Sequence, residues 1–513
     1  MMINMERTRE SAEKCRGSSP RKTAKVAETR EGEQVDRLSS LPDSVLIQIL
    51  ALLPTRDAVK TLMIPSLGRL WDQTFILDFD WCAAHRCSQK LCNDGPFEEQ
   101  FGRFVAFVDR TVMLHRSPRV FKFRLKINCS ADYLQDRNLP RDPEEDEEAD
   151  NRTQLMELLD SWLESAIQRN VEIFDLDFIA CGFPGFFNRY VLPPSVLRSN
   201  SLVEMRVASC SLKFYPQSCM KALKCLYLED IILTDDLIES ILSTCPVLET
   251  LSLKDCYGFS RVSCESQMLK MVIVSPDILS EWKIEVAGPY ITSLSISGWI
   301  ERMSLGNLPS LHDATIDICN QFCCVPDDYL LVKKVFEKLH HAKVLTVHDL
   351  PILVTMIWEL LGCQCPSSNW QCLVLKTKLN KWHLPGVANL LRNSPSLETL
   401  DLHIFKGELP QTPVRDSWLI WYKFDEDNYW TAKDHSFSCL RTGLKTVKLS
   451  GDVMKDTVLQ FVQFLLGKSL VLEELIIFIG TKDRSIKDGE LKKYKEKVFH
   501  FPVASHKAVV RFR

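Results

Sequence analysis

The chain has little of what interrupts a globular fold and none of the usual marks of export or membrane insertion. Nineteen glycines and 24 prolines in 513 residues exclude a collagen-like or linker-rich protein. Every long apolar stretch is broken by charge within about 18 residues, too soon to span a bilayer. The N-terminal run MMINMERTRESAEKCRGSSPRKTAK holds no apolar core, so it does not read as a secretory signal. Neither sign of charge dominates. The 63 Lys and Arg residues against 67 Asp and Glu leave a net charge of −4, which argues against a broad basic face for nucleic acid. The expectation is an intracellular protein of the nucleus or cytoplasm, with no nucleic-acid and no membrane partner.

Catalytic signatures are missing as well. No GxSxG, HExxH or GxGxxG occurs. Gly467-Lys468-Ser469 resembles the end of a phosphate-binding loop, but Val462 stands where the earlier glycine belongs. Within VLQFVQFLLGKSLVLEELIIF, Gly467 reads as a helix end. The 19 cysteines are odd in number, and without export they do not suggest a disulfide framework. Cys82, Cys87 and Cys92 around His85, the Cys363/Cys365 pair and the Cys323/Cys324 pair each lack the four converging ligands of a structural zinc site. The thiols read as buried, reduced, small hydrophobes, and no metal, cofactor or catalytic residue is expected.

What is present is strongly patterned. Residues 1–35 are polar, carry both charges and contain no aromatic residue, so this tail is read as disordered. Its PRKTAK run fits either a nuclear signal or a solvated stretch. The run RDPEEDEEADN, Arg141 to Asn151, reads as an acidic surface loop or insertion. Between tail and Asp80 the spacing predicts three short helices. Pro42 opens the first, and Val45, Leu46, Ile49, Leu50, Leu52 and Leu53 follow at helical intervals up to Pro54. Thr55 is placed to cap a second helix through Ala58, Val59 and Leu62, and Ser66 a third through Leu67, Leu70 and Trp71. The first helix is apolar around more than one face, which fits packing on its own chain or seating in a partner's groove.

The stretch DRLSSLPDSVLIQILALLPTRDAVKT resembles the F-box of plant F-box proteins, and residues 36–80 are assigned to it. The following IPSLGRLW is one residue shorter than the family pattern, lacks its first Trp and adds Pro65. The resemblance implies a Skp-family adaptor as partner and, through it, a cullin. It nominates Leu41, Pro42, Val45, Leu46, Ile49 and Leu50 as adaptor contacts, with Ala58, Val59 and Leu62 from the second helix.

From about residue 118 a unit apolar-x-x-apolar-x-apolar recurs thirteen times, from Val120/Phe123/Leu125 through Leu226/Leu228 and Leu400/Leu402 to Leu472/Leu475/Ile477. This is the strand signature of a leucine-rich repeat. Segments such as TDDLIESILSTCPVLETLSL add a capped helix and a turn before the next strand. Cys210, Ile231, Cys256, Trp299 and Phe405 sit three residues past the last strand apolar, where a side chain plugs the turn. One strand-helix unit cannot bury its own apolar face, so the fold expected is an α/β solenoid: a horseshoe over residues 81–403 with parallel strands lining the concave side.

The last part, residues 404–513, resembles the plant FBD domain in FSCLRTGLKTVKLSG, VLQFVQFLLGKSLVLEELIIF and FPVASHKAVVRF. The resemblance implies a cap that closes the solenoid. RDSWLIWYKFDEDNYWTAKD, with Trp418 and Trp430, reads either as a loop carrying aromatic anchors or as an insertion packed on that cap. Outward strand positions form a mixed polar face, and Tyr227, Lys254, Lys376, Asp401, His403 and Lys448 are the candidate contacts for a protein target. With them belong Ser252, Ser295, Thr346 and Thr446. The whole order of modules implies a non-catalytic substrate receptor of a Skp–cullin–F-box ubiquitin ligase. The alternative is a solenoid interaction protein whose F-box no longer binds the adaptor.

Overall fold

The computed structural model describes residues 38, 40–81, 97–127, 145–178, 190–213, 218–276, 283–299, 303–319, 326–363, 365–407, 429–432, 437–479 and 488–513. Residues 1–35 therefore lie outside the described residues, as do Cys82, His85, Cys87, Cys92, Cys323, Cys324, Trp418 and residues 480–487. No helix among the described residues is long and apolar enough to cross a membrane.

Fifteen strands form one parallel sheet, and each pairs with the next main-sheet strand along the chain, from Ile76–Asp80 to Val509–Phe512. Parallel neighbours need a crossover connection, so each repeat climbs one rung and returns along the outside. All thirteen apolar triplets are buried, Val120, Phe123 and Leu125 at one end and Leu472, Leu475 and Ile477 at the other. Their register is continuous: Leu373 lies beside Leu400, and Leu400 beside Val447. Each such side chain contributes about 1.5–3 kcal/mol on full burial, but only once neighbouring rungs cover it.

Two strands lie outside that series. Ile76–Asp80 buries Leu77 and Phe79 and pairs with Lys122–Lys126, so it is the first rung of the sheet and not the end of the N-terminal helical unit. Val509–Phe512 is the last rung, laid against Glu474–Ile477.

Most connections carry helices, among them Phe97–Leu114, Glu145–Gln168, Asp235–Thr244, Asp349–Leu360, His383–Arg392 and Asp456–Lys468. The acidic stretch expected as a loop or insertion is helical from Glu145 onward, and its first residues, 141–144, lie outside the described residues. Three successive connections show no helix among the described residues. Arg261–Ser263, Ile284–Ala287 and Met303–Leu305 instead form a second small parallel sheet. Val262, Ile284 and Val286 are buried there, β-branched residues suited to a pleated surface.

The N-terminal unit has two α-helices, α1 (Asp43–Ala51) and α2 (Thr55–Lys60). The third segment is a run of turns ending in a 3-10 turn at Trp71–Gln73, not the helix expected after Ser66. Thr55 does not cap α2. It is the helix's first residue, and its hydroxyl accepts a 2.6 Å hydrogen bond from the Asp78 backbone N–H in the first strand.

Helices Asp349–Leu360 and His383–Arg392 approach closely at Gly386. A Cβ there would stand 2.1 Å from the Ile352 carbonyl oxygen. A helical glycine changed to alanine ordinarily gains up to about 1 kcal/mol. Here Gly386→Ala forces the two helices apart, and a loss of about 1–3 kcal/mol is expected. Chemical denaturation of the full chain reads the sign directly.

Candidate functional site

Two surfaces stand out, one on the helical unit and one on the sheet. In the helical unit, Leu46 and Leu50 of α1 pack with Leu67 and Leu70 into a small core of their own. Ala58 is buried too, and Ile49 and Val59 are half-buried. Leu41, Pro42, Val45 and Leu62 remain exposed. The nine nominated adaptor contacts thus divide into an inner set that holds the unit together and an outer set that faces solvent. Around the outer set lie Leu52, Met63 and Ile64, with Leu52 83% and Met63 89% exposed. Sequence spacing alone did not select these three, although all flank the helix ends where an apolar residue has no turn above it. Exposed apolar side chains this dense mark a contact surface.

The sheet's second face is read along its rungs. One row runs Asp78, Arg124, Asp175, Arg206, Tyr227, Ser252 at its N-terminal end, each residue beside the next. Arg124 reaches Asp78 and Asp175 at 3.4 Å and Asp80 at 3.8 Å. Lys126 binds Asp177 at 2.8 Å, and Lys254 pairs with Glu229. Arg206 bonds Glu204 at 2.7 Å and lies 3.9 Å over the Tyr227 ring. Burial pushes the Tyr227 hydroxyl and the Asp175 carboxyl upward, while the Arg124 guanidinium pulls Asp175 back. The N-terminal third of this face therefore satisfies its own charges. Sequence reasoning passed over this ladder, though its signal was there: alternating sign at equivalent positions of successive repeats.

Toward the other end the same row reads Thr346, Val374, Asp401, Lys448, Ile476. The parallel row reads His348, Lys376, His403, Ser450. His348 Nδ1 lies 3.0 Å from Asp317, and His403 Nδ1 2.8 Å from the Ser450 hydroxyl. His403 Nε2 sits 3.6 Å from Asp401. Lys376 and Lys448 have no carboxylate at ion-pair distance among the described residues. All six nominated target contacts thus fall on one face of the sheet, but they are not equivalent. Tyr227 and Lys254 already have partners, and the two C-terminal lysines do not. Ser295 and Thr346 lie in the first row, and Thr446 lies one step toward the strand start.

The aromatic segment at 415–434 is described only at its end. Tyr429 and Trp430 are buried, and Trp430 stacks on Phe464 at 4.5 Å, so Trp430 is packed inside rather than presented as an anchor. The turn-plugging residues also divide. Cys210, Ile231 and Cys256 are buried, whereas Phe405 is 45% exposed. Before the three plugs stand Ser209, Asp230 and Asp255, each with φ between 51° and 56°, a left-handed turn that Asp tolerates.

Repeat register, parallel sheet and N-terminal helical unit together define a leucine-rich-repeat protein of the plant F-box/LRR kind. The chain belongs to that family: residues 145–508 match the family described as At1g61320/AtMIF1, LRR domain. Among its relatives in Arabidopsis thaliana is At1g49610, provisionally named an F-box protein, 27% identical over 73% of this chain and 86% of that one. F-box/LRR-repeat protein At3g03360 is 26% identical over 72% of this chain and 71% of its own length. For F-box/LRR-repeat protein At5g02910 the identity is 23%, over 87% and 88%.

Two outcomes follow. Burial raises the Cys245 thiol to about 11 and Cys256 to about 12, and Cys210 further still. In native protein these three should alkylate slowly and Cys363, which is exposed, first; mass spectrometry of timed iodoacetamide reactions checks the order. Removing Arg124 by Arg124→Ala leaves the half-buried Asp175 near other carboxylates without its guanidinium partner and raises its pKa further. A raised carboxylate contributes stability at low pH that disappears as pH rises through the folded value. The loss should accordingly be about 1–3 kcal/mol at pH 7 and smaller near pH 4, measured by urea unfolding at both.

Proposed function

We propose that the chain is the substrate-recognition subunit of a Skp–cullin–F-box ubiquitin ligase. It performs no chemistry itself. A Skp-family adaptor seats on the exposed apolar residues of the helical unit, the adaptor brings a cullin, and a protein target is held on the concave face of the repeats. The contribution to catalysis is proximity between target and loaded conjugating enzyme. The observation that carries this reading is the apolar outer set, Leu41, Val45, Leu52, Leu62 and Met63, on a unit whose sequence resembles an F-box. The names of the relatives agree with it. The C-terminal region, with Tyr494 and Val498 of helix Asp488–Phe499 buried against the last rungs, acts in this reading as an FBD-type cap.

The absence of a third helix after Ser66 favours a second reading, an interaction solenoid that no longer recruits the adaptor. One experiment separates the two. Leu46 belongs to the unit's own core, so Leu46→Asp unfolds it and is uninformative. Val45→Asp combined with Leu62→Asp places charge on the outer face only. Co-purification with a Skp-family adaptor should be lost in this variant while thermal unfolding stays unchanged. No co-purification with the unmodified chain establishes the second reading. For the target, Lys376→Glu with Asp401→Lys should weaken capture and leave adaptor binding intact.

A further inference from the structure

The two ends of the fifteen-stranded sheet are finished differently. At the first strand the outward Asp78 N–H is taken up by the Thr55 hydroxyl, and α2 lies against that edge. At the last strand, the Val509 N–H bonds the Glu473 carbonyl and the Arg513 N–H that of Ile477, both at 2.9 Å. Ile479 N–H returns to the Arg513 carbonyl at 2.7 Å. In a parallel ladder a residue turns both backbone groups to the same neighbour. Residues 509, 511 and 513 therefore face inward, and Val510 and Phe512 present N–H and C=O to the open edge. No hydrogen-bond partner for these groups occurs among the described residues.

The surroundings select what can pair there. Residues 488–513 hold seven Lys and Arg against three Asp and Glu. Lys493, Lys497, Lys507 and Arg513 are exposed. Val510 and Phe512 lean on the end of the core, with Phe512 edge-on to Phe499 at 5.5 Å, while Phe499 is itself 62% exposed. A second copy of this chain would bring the same cations to the same rim, where like charges oppose each other.

We propose that the outward edge of Val509–Phe512 receives an extended acidic segment of a partner protein as a sixteenth parallel strand. Its apolar residues would continue the Val510 and Phe512 rows, and its intervening carboxylates would meet the cationic rim. Main-chain bonds supply affinity, and alternation supplies selectivity. This edge is separate from the adaptor face and lies two strands beyond Lys448 on the sheet that carries the target face.

The test uses the full chain and a fluorescein-labelled peptide of alternating valine and glutamate, read by anisotropy. Val510→Pro removes an outward N–H without touching the bonds to Glu474–Ile477. Binding should weaken about tenfold or more, the worth of one lost hydrogen bond and the blocked strand, at unchanged thermal stability. Should the proline variant be unstable, the same peptide N-methylated at its valines must fail to bind the unmodified protein. Lys507→Glu with Arg513→Glu should weaken binding most at low salt. Equal binding of the N-methylated peptide overturns the proposal and leaves only an electrostatic patch. Failure of the unmodified peptide to bind overturns it too, and so does a concentration-dependent dimer that Val510→Pro dissolves, which gives the edge to a second copy.

Discussion

Everything in this molecule depends on lateral contact between like side chains of successive repeats. Leu373 is covered by Leu400, Leu400 by Val447, and no rung is complete without the next. An apolar side chain gains its stabilisation only from a neighbour placed at the rung spacing of about 4.8 Å. Register is consequently strict. A slip of one residue would turn Leu400 and Leu402 to solvent and Asp401 into the core. The same strictness lines up the polar row on the other face, so the order of that row is a by-product of core packing. Stability along such a stack is near-neighbour in character, and an internal rung cannot be weakened without loosening both of its flanks.

The sheet was legible because its signal is redundant. Thirteen repetitions of one spacing leave little room for chance, and each was found buried where the spacing placed it. The ends were harder to read, since a terminal rung has only one neighbour. Ile76–Asp80 reads as the tail of the helical unit because ILDFD lacks the earlier apolar position that the other rungs carry. The segment after Ser66 carries apolar residues at helical spacing, yet Pro65 and Gly68 hold it in turns. A Cβ at Gly68 would come within 2.8 Å of the Leu62 carbonyl oxygen. The acidic run before Gln154 reads as a loop by charge, although the chain is helical from Glu145. Among candidate contacts, spacing identified which residues belong to the helical unit's apolar set. It could not tell inner from outer, because α1 is apolar on more than one side.

Charge divides the concave face more sharply than composition suggests. A net of −4 over the chain conceals a network at one end, where Arg124 serves three carboxylates, and at the other two lysines with no ion pair among the described residues. Paired charges are already committed and give a partner little. The N-terminal rungs carry charges that largely pair with one another, and Lys376 and Lys448 stand on the C-terminal rungs of the same face.

The second small sheet has a consequence for shape. A solenoid bends because its two walls have different widths: an α-helix is about 10 Å across, whereas strands stand about 4.8 Å apart. Where the outer wall is itself a parallel sheet, as at Arg261–Ser263, Ile284–Ala287 and Met303–Leu305, both walls advance by the same step. Over those turns the difference in wall width that bends a strand-helix solenoid is missing, so this stretch has no such reason to curve.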